Sequence, residues 1–428
     1  MSKDKVNIGL IGFGTIGAGV VEIFNKNQKL ISDKTGKNVV LKKVADLDIT
    51  TDRGVKISEK ILTEDVNEIL DDPEIDIVIE LIGGYEPAKT FILRALKTKK
   101  HIVSTNKALI SKEWNELIST AKENGVRLNF EASVGGGIPV IQTINEQLSS
   151  NKFSSIYGVL NGTANYILSE ISENGTDFKS VLKEAQKKGY AELDPTFDIE
   201  GNDTAHKIII LSKIAFGKYV SSDDFLIEGI SNIDPMDIEF ANSDLGCSVK
   251  LLGIAKDLNG RLELRVHPTF VPKNHILCSA NGVFNGIYLE GDFIGPIFLY
   301  GQGAGRMATA SAVVGDCVDI ILNPSKPINY GPETSQVNEL VEANEIFSKY
   351  YVRLMIKPKD GVIKEIFKIL NKYNIDIDTS IQNSCSEDLV PVFLITNMVK
   401  EIDVNNALLD IKGLDSVKEE PVLFRILN

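Results

Sequence analysis

The sequence has 428 residues, is 43% hydrophobic and 25% charged, and carries a formal net charge of −13. That acidic balance argues against a partner such as nucleic acid or an anionic membrane surface, though not against a phosphate held locally by N–H groups and lysines. At roughly 150 residues per domain the length suggests two or three domains, each able to bury a core without disulfide or metal staples. No run of about 18 apolar residues is present to span a membrane. MSKDKVNIGLIGFG runs straight into a strand-like segment with no signal-like start. Cys247, Cys278, Cys317 and Cys385 lack CxxC spacing, and the four histidines form no HExxH. Neither a disulfide frame nor a transition-metal enzyme is expected, and a cytoplasmic, multidomain protein is.

Residues 6–130 alternate short apolar runs with amphipathic stretches. Val6–Ile11, Val39–Ala45, Ile75–Leu81, His101–Ser104 and Arg127–Glu131 read as strands. Ile16–Asn25, Glu64–Leu70, Ala88–Lys97 and Ser111–Asn124 have helical spacing. The alternation predicts a parallel sheet covered on both faces. Helical stretches follow at Val140–Leu148, Thr163–Glu173, Phe178–Lys188 and Asp203–Gly217. Val249–Lys256 and Leu262–His267 flank Asp257-Leu258-Asn259-Gly260 and predict a hairpin. Val283–Leu289 and Ile297–Leu299 add strands, and Ala308–Leu322 a helix, so the middle of the chain is α+β.

Asn323–Asn344, with three prolines, suits a linker. Beyond it, Tyr351–Ile356, the stripe Val362, Ile363, Ile366, Phe367 and Leu370, then Asp376–Gln382, Val390–Met398, Val404–Leu414 and Pro421–Leu427 give strand, helix, strand, strand, helix, strand. That order is a split βαβ sandwich.

Gly12-Phe13-Gly14-Thr15-Ile16-Gly17 lies between the first strand and the first helix, the context that turns a GxGxxG string into a dinucleotide fingerprint. Gly12 permits the tight turn, Gly14 lets a pyrophosphate approach, and Gly17 allows close helix–strand packing. Asp46, at the end of the second strand, is placed to read the adenosine ribose. It lies beyond the usual spacing of about 20 residues because the polar stretch Lys26–Asn38 lengthens the crossover. Asp46 favours NAD; Arg53, Lys42 and Lys43 keep NADP open, and Asp46 also reads as a simple turn cap.

Three ordered blocks carry a resemblance. They are Ser104-Thr105-Asn106-Lys107-Ala108-Leu109, Glu131-Ala132-Ser133-Val134-Gly135-Gly136-Gly137-Ile138-Pro139, and Leu160-Asn161-Gly162-Thr163-Ala164-Asn165-Tyr166-Ile167-Leu168. A fourth and longer one runs from Glu184-Ala185-Gln186 through Gly189-Tyr190-Ala191-Glu192-Leu193-Asp194-Pro195 and Asp198 to Gly201-Asn202-Asp203-Thr204-Ala205-His206-Lys207. Over residues 1–325 the chain resembles the homoserine dehydrogenases, and from about 350 its tail looks like an ACT regulatory domain. No kinase-sized segment precedes the glycine loop, so the form fused to aspartokinase is not expected.

The resemblance implies an α/β architecture in three parts. A Rossmann-type doubly wound parallel sheet spans 1–137 and is completed by helix 306–325. An α+β substrate and dimerisation domain spans 138–305; a linker at 326–349 leads to a βαββαβ ACT domain at 350–428. It also implies NAD(P)-linked interconversion of L-homoserine and L-aspartate 4-semialdehyde, in a homodimer or homotetramer. Lys207 takes the role of acid/base at the substrate oxygen. Asp203 and Lys207, at i and i+4, face the same way on a helix; enclosure lowers a lysine's pKa and the nearby carboxylate opposes that. Asp203 and Glu192 resemble the carboxylates that hold substrate, Glu192 at its ammonium group, with Asp198 in support. Thr105, Lys107 and Gly305 fall at cofactor positions, Lys107 also beside substrate.

Each of these has a plainer reading: an exposed helix salt bridge for Asp203–Lys207, a solvated turn for Glu192, a surface lysine for Lys107, a structural turn for Gly305. Glu131, Val134, Gly136 and Ile138 resemble a loop for a monovalent cation such as Na+; the same glycine run also reads as a hinge needing no ion. His206 reads as packing. In the tail, Lys357-Pro358-Lys359-Asp360-Gly361 departs from the Asp-Xaa-Pro-Gly of many relatives, and pathway logic makes threonine the expected effector. Two competing functions are another amino-acid semialdehyde dehydrogenase and a nucleotide-sensing regulator without turnover.

Overall fold

Six of the seven residues of strand β1 (Lys5–Ile11) are buried, as a near-continuous apolar run demands when helices cover both faces of a parallel sheet. The computed structural model describes residues 4–327, 329–332, 339–382 and 389–427; Cys385 lies outside them. After β1 come α1 (Thr15–Thr35), β2 (Asn38–Ala45), β3 (Leu62–Thr63), α2 (Asn67–Leu70), β4 (Ile77–Glu80), α3 (Ala88–Lys97), β5 (His101–Ser104), α4 (Lys107–Asn124) and β6 (Leu128–Asn129). The strands form one parallel sheet in the order β3-β2-β1-β4-β5-β6, a doubly wound arrangement. Helix Arg306–Leu322 packs against α1, its Val313, Cys317 and Ile320 sharing a core with Val20, Val21, Phe24 and Ile31.

The elements expected at 64–70, 75–81 and 127–131 are each shorter, at Asn67–Leu70, Ile77–Glu80 and Leu128–Asn129, and two helices are longer for local reasons. The polar stretch after Asn25 continues α1 to Thr35, because Phe24 and Ile31 extend its buried stripe; Gly36, at φ 66°, then ends it. Helix α4 starts at Lys107, four residues before the predicted Ser111, because the Asn106 side chain caps it by accepting from the Leu109 N–H at 3.1 Å.

The chain folds into two units interleaved in sequence. One comprises Met1–Gly162, Asp203–Ser222 and Val283–Gln336; the other comprises Thr163–Asn202, Asp223–Gly282 and Val337–Asn428. Besides the parallel sheet, the first unit holds an antiparallel trio, in which Phe284–Gly291 lies between Phe153–Val159 and Gly295–Gln302, and nearly all of helix Asn202–Phe216.

The second unit contains the predicted hairpin, longer than its apolar core. Cys247–Leu258 pairs with Arg261–Pro272 across Asn259 and Gly260, both at positive φ as a tight two-residue turn requires. The tail is a four-stranded antiparallel sheet in the order 422–426, 347–356, 390–396, 377–382. Its helices Val362–Lys372 and Glu401–Lys412 bury Val362, Ile366, Leu370, Val404, Ala407 and Ile411 against it. The first tail strand begins at Phe347, and the linker supplies Glu339–Leu340, which pairs with Arg261–Leu262.

The tail does not stand apart within this unit. Arg425 and Ile426 pair with Thr269 and Phe270 of the hairpin. Phe240 and Phe270 pack on Tyr351, Phe393 and Phe424 of the tail. Among the described residues no helix is long and apolar enough to cross a membrane.

Candidate active site

The glycine loop has the shape its sequence predicts. Gly12 sits at φ 99° and a Cβ there would lie 2.8 Å from the backbone of Leu81; one on Gly17 would lie 2.2 Å from the Gly12 carbonyl oxygen. A Cβ on Gly14 would meet nothing within 4 Å, so the loop opens at its middle glycine, beside the N-terminus of α1. The residues fit a dinucleotide. Asp46 ties the loop to the end of β2: its carboxylate accepts from the N–H groups of Phe13 and Asp48. The Arg53 guanidinium donates to the Phe13 carbonyl, stacks 5.6 Å from the Phe13 ring and lies 3.8 Å from Asp46. Lys42 is committed to Asp72 and Glu74, and Lys43 to Glu68. Of the three cations weighed for a 2′-phosphate, Arg53 is the one at Asp46. Gly305, at φ 114°, opens helix Arg306–Leu322 with space where a Cβ would be.

Three of the predicted chemical residues converge inside the first unit. The buried Asp203 carboxylate accepts from Lys207 Nζ at 2.6 Å and from Asn161 Nδ2 at 2.8 Å through one oxygen; the other lies 3.1 Å from Lys107 Nζ. Lys207 Nζ also donates to the Leu160 carbonyl at 2.6 Å, an oxygen that accepts from Asn285 Nδ2 at 2.9 Å. Burial pushes the Asp203 carboxyl up, but the two ammonium groups and the Asn161 amide outweigh it and hold it well below the usual carboxylate range. The exposed-salt-bridge reading of Asp203–Lys207 fails on burial: the Asp203 side chain is 5% exposed and that of Lys207 11%. Lys107, the first residue of α4, is 32% exposed and forms the open side of the cluster. His206 lies on the same helix; burial and the charge of Lys107 lower its pKa, which keeps the ring neutral.

Comparison with known proteins agrees along the length of the chain. A model described as the NAD-binding domain of homoserine dehydrogenase matches residues 12–131, and one described as homoserine dehydrogenase matches 139–318. The homoserine dehydrogenase of Pseudomonas aeruginosa is 39% identical over 98% of both chains. The crystal structure of a homoserine dehydrogenase from Thiobacillus denitrificans superposes with a TM-score of 0.92 at 38% identity, covering 99% of this chain and 98% of that one. This chain belongs to the homoserine dehydrogenase family. It is an NAD(P)-dependent oxidoreductase that interconverts L-homoserine and L-aspartate 4-semialdehyde, which displaces both competing functions. A hyperthermophilic archaeal homoserine dehydrogenase in complex with NADPH also matches, with a TM-score of 0.64, 25% identity and coverage of 74% of this chain and 98% of that one.

Glu192 and Asp198 belong to the second unit, where Glu192 is exposed and Asp198 accepts from the Thr163 hydroxyl at 3.2 Å. That hydroxyl also contacts the Tyr190 carbonyl at 2.6 Å, which folds the segment 190–198 against it. No sequence pattern marks Asn161 and Asn285, which hold Asp203 and Leu160; Asn161 lies in the stretch Leu160–Leu168, but only its partner's position gives it a role.

The glycine run 135–137 packs closely: a Cβ on Gly136 would lie 2.6 Å from the Gly303 backbone. The Glu131 carboxylate accepts from the N–H groups of Ile141 at 2.7 Å and Gln142 at 2.8 Å. These two bonds use one lone pair on each carboxylate oxygen and leave Glu131 able to act as an oxygen donor beside the loop's backbone carbonyls. Among the described residues no group of three or more His, Cys, Asp or Glu could hold a metal ion. Burial pushes the Glu131 carboxyl up to about 7. Its folded pKa thus exceeds its unfolded value, and the stability it contributes is full below about pH 4.5 and falls as pH rises through 7. Unfolding by urea should show a loss of up to about 3 kcal/mol across that window from this group, and Glu131→Gln should flatten it. An unchanged slope in the variant would assign the pH dependence to other groups.

Proposed function

We propose that Lys207 is the acid/base of the reaction, held by Asp203, with Lys107 as the second cation at the reacting end of the substrate. The observation that carries this is the convergence of both lysines on one buried, ionised carboxylate. Bound NAD(P) supplies the hydride acceptor or donor. In the oxidative direction Lys207 first releases its ammonium proton to solvent, and the neutral Nζ then takes the homoserine hydroxyl proton as the hydride leaves the same carbon; in the reductive direction the ammonium form gives its proton to the aldehyde oxygen. Asp203 keeps the Lys207 amine aimed by accepting from it. Glu192 binds the substrate ammonium group, and Asp198 steadies the segment that carries it. Gly12–Gly17, Asp46, Thr105 and Gly305 bind the cofactor.

The functional division of the chain follows 1–137 with helix 306–325, 138–305, the linker 326–349 and an ACT-type unit at 350–428. In this reading the tail senses threonine, the subunits associate as a homodimer or homotetramer, and the enzyme works in the cytoplasm. A monovalent cation would be held by Glu131 and the carbonyls of Val134, Gly136 and Ile138, and no step of the reaction passes through it.

Homoserine oxidation assayed with each cofactor tests the reading of Asp46. We expect kcat/KM to favour NAD by a modest factor, because Asp46 repels a 2′-phosphate. Arg53→Ala should widen that preference, since it removes a cation that lies beside Asp46. A clear NADP advantage that Arg53→Ala abolishes would reverse the assignment and make Arg53 the phosphate partner.

A further inference from the structure

The carboxyl edge of the parallel sheet carries a row of three residues in register: Ile11 of β1, Glu80 of β4 and Ser104 of β5. Ile11 precedes the glycine loop and Ser104 precedes Thr105-Asn106-Lys107. Between them Glu80, the last residue of β4, is fully buried at 0% exposure. An acidic side chain so placed, without a cation among its hydrogen-bond partners, calls for a reason.

Its partners supply one. Glu80 Oε1 accepts from the N–H groups of Ile82 at 2.8 Å and Gly83 at 3.1 Å, folding the chain back as it leaves the sheet. Leu81 and Ile82 of that turn are the atoms a Cβ on Gly12 would strike, so the turn backs the glycine loop. Glu80 Oε2 is 2.7 Å from the Ser104 hydroxyl, which in turn accepts from the Asn106 N–H at 3.1 Å. Asn106 caps α4 through the Leu109 N–H and donates from Nδ2 to the Gly84 carbonyl at 2.6 Å, closing the ring onto the Glu80 turn. The first residue of the helix fixed in this way is Lys107.

We propose that Glu80 is a positioning residue for the dehydrogenase reaction: through Ser104 and Asn106 it fixes the start of α4 and so aims Lys107 at Asp203, while its other oxygen holds the turn that backs the glycine loop. The proposal rests on the reading of Lys107 given above. It concerns shape and not charge, because both oxygens of Glu80 meet neutral donors. A misplacement of about 1 Å at a reacting centre costs about 100-fold in rate, so a side chain remote from substrate can matter through geometry alone.

Three variants of the full-length enzyme test it. Ser104→Ala cuts the chain at its middle and leaves the Glu80 turn intact. It should lower kcat about 10- to 100-fold, with the dissociation constant for reduced cofactor, read by fluorescence titration, within about twofold of wild type. Glu80→Gln keeps an acceptor for Ile82 and Gly83 and a polar group for Ser104, and should stay within about threefold of wild type. Lys107→Ala sets the reference. In its background Ser104→Ala should lose nothing further, since both changes remove the same alignment.

Equal losses from Ser104→Ala with and without Lys107 would overturn the proposal, as would wild-type kcat in Ser104→Ala or an inactive Glu80→Gln. If Lys107→Ala is slow and Ser104→Ala is not, the positioning role alone fails. If Lys107→Ala itself keeps wild-type turnover, the role given to Lys107 fails and the proposal with it.

Discussion

Lys207→Ala should lower kcat by about 10²- to 10⁴-fold while cofactor still binds. Removing an acid/base group from a proton transfer typically costs that much, and Lys207 is the amine that bridges Asp203 and the Leu160 carbonyl. The glycine loop makes its contacts through β2, α1 and the β4 turn and is untouched by the change, so titration with reduced cofactor should give an affinity near that of wild type. The substitution also takes a partner from a buried carboxylate, a change that can cost about 3–5 kcal/mol of stability. Turnover must therefore be compared well below the thermal midpoint of the variant. Lys207→Arg separates proton transfer from charge: the guanidinium keeps the positive charge beside Asp203 but does not give up its proton in this pH range. We expect it to be stable and slow. Wild-type turnover across the pH range in either variant would remove Lys207 from the chemistry.

What sequence could say about this site depended on whether the chemistry was local in the chain. Asp203 and Lys207 are one helical turn apart, so spacing alone put them on one face, and the glycine loop is contiguous. The third and fourth members of the cluster are not local. Asn161 reaches Asp203 across 42 positions, and Lys107 arrives from the start of α4, after β5. No periodicity records such an encounter; the family resemblance put these residues in motifs without saying which atoms meet. Lys26–Asn38 read as an insertion because its surface is polar, yet two apolar residues seven apart kept it helical. Glu131 stands out in sequence as an oxygen donor, and no pattern shows that its carboxylate also holds two backbone N–H groups ten and eleven positions on. The split βαβ order of the tail was read from its alternation, whereas the edge it uses to join the hairpin became visible only as a strand pair.

A second contact between the tail and the rest of its unit, the Arg353–Asp237 ion pair, carries the second large effect. Arg353→Met should destabilise the protein by about 3–5 kcal/mol. Arg353 donates from Nε at 2.7 Å and from its terminal nitrogen at 3.2 Å to Asp237, whose carboxylate is fully buried and also accepts from the Tyr351 hydroxyl at 2.6 Å. With the guanidinium gone, one neutral donor is left to hold a charge without access to water. Asp237→Leu combined with Arg353→Met should recover part of the loss, because it removes the unpaired buried charge and leaves only the neutral Tyr351 hydroxyl without its acceptor. Urea midpoints for the two single variants and the double variant decide this, and a loss below about 1 kcal/mol in Arg353→Met would mean that the pair does not hold the tail. Truncation near Asn344 carries the same argument further. It removes Arg353, Tyr351 and Arg425 together, strips Glu228 and Asp237 of their partners, and uncovers Phe240 and Phe270. A truncated chain that fails to respond to threonine would therefore report a damaged second unit as readily as a lost effector site. The proposed effector role has to be tested in the full chain, by a change confined to the exposed loop Lys357–Gly361. Inhibition that weakens there while the urea midpoint holds would place the effector in the tail. Linkage then requires homoserine to weaken threonine binding by the same factor, transmitted where Arg425 and Ile426 pair directly with Thr269 and Phe270.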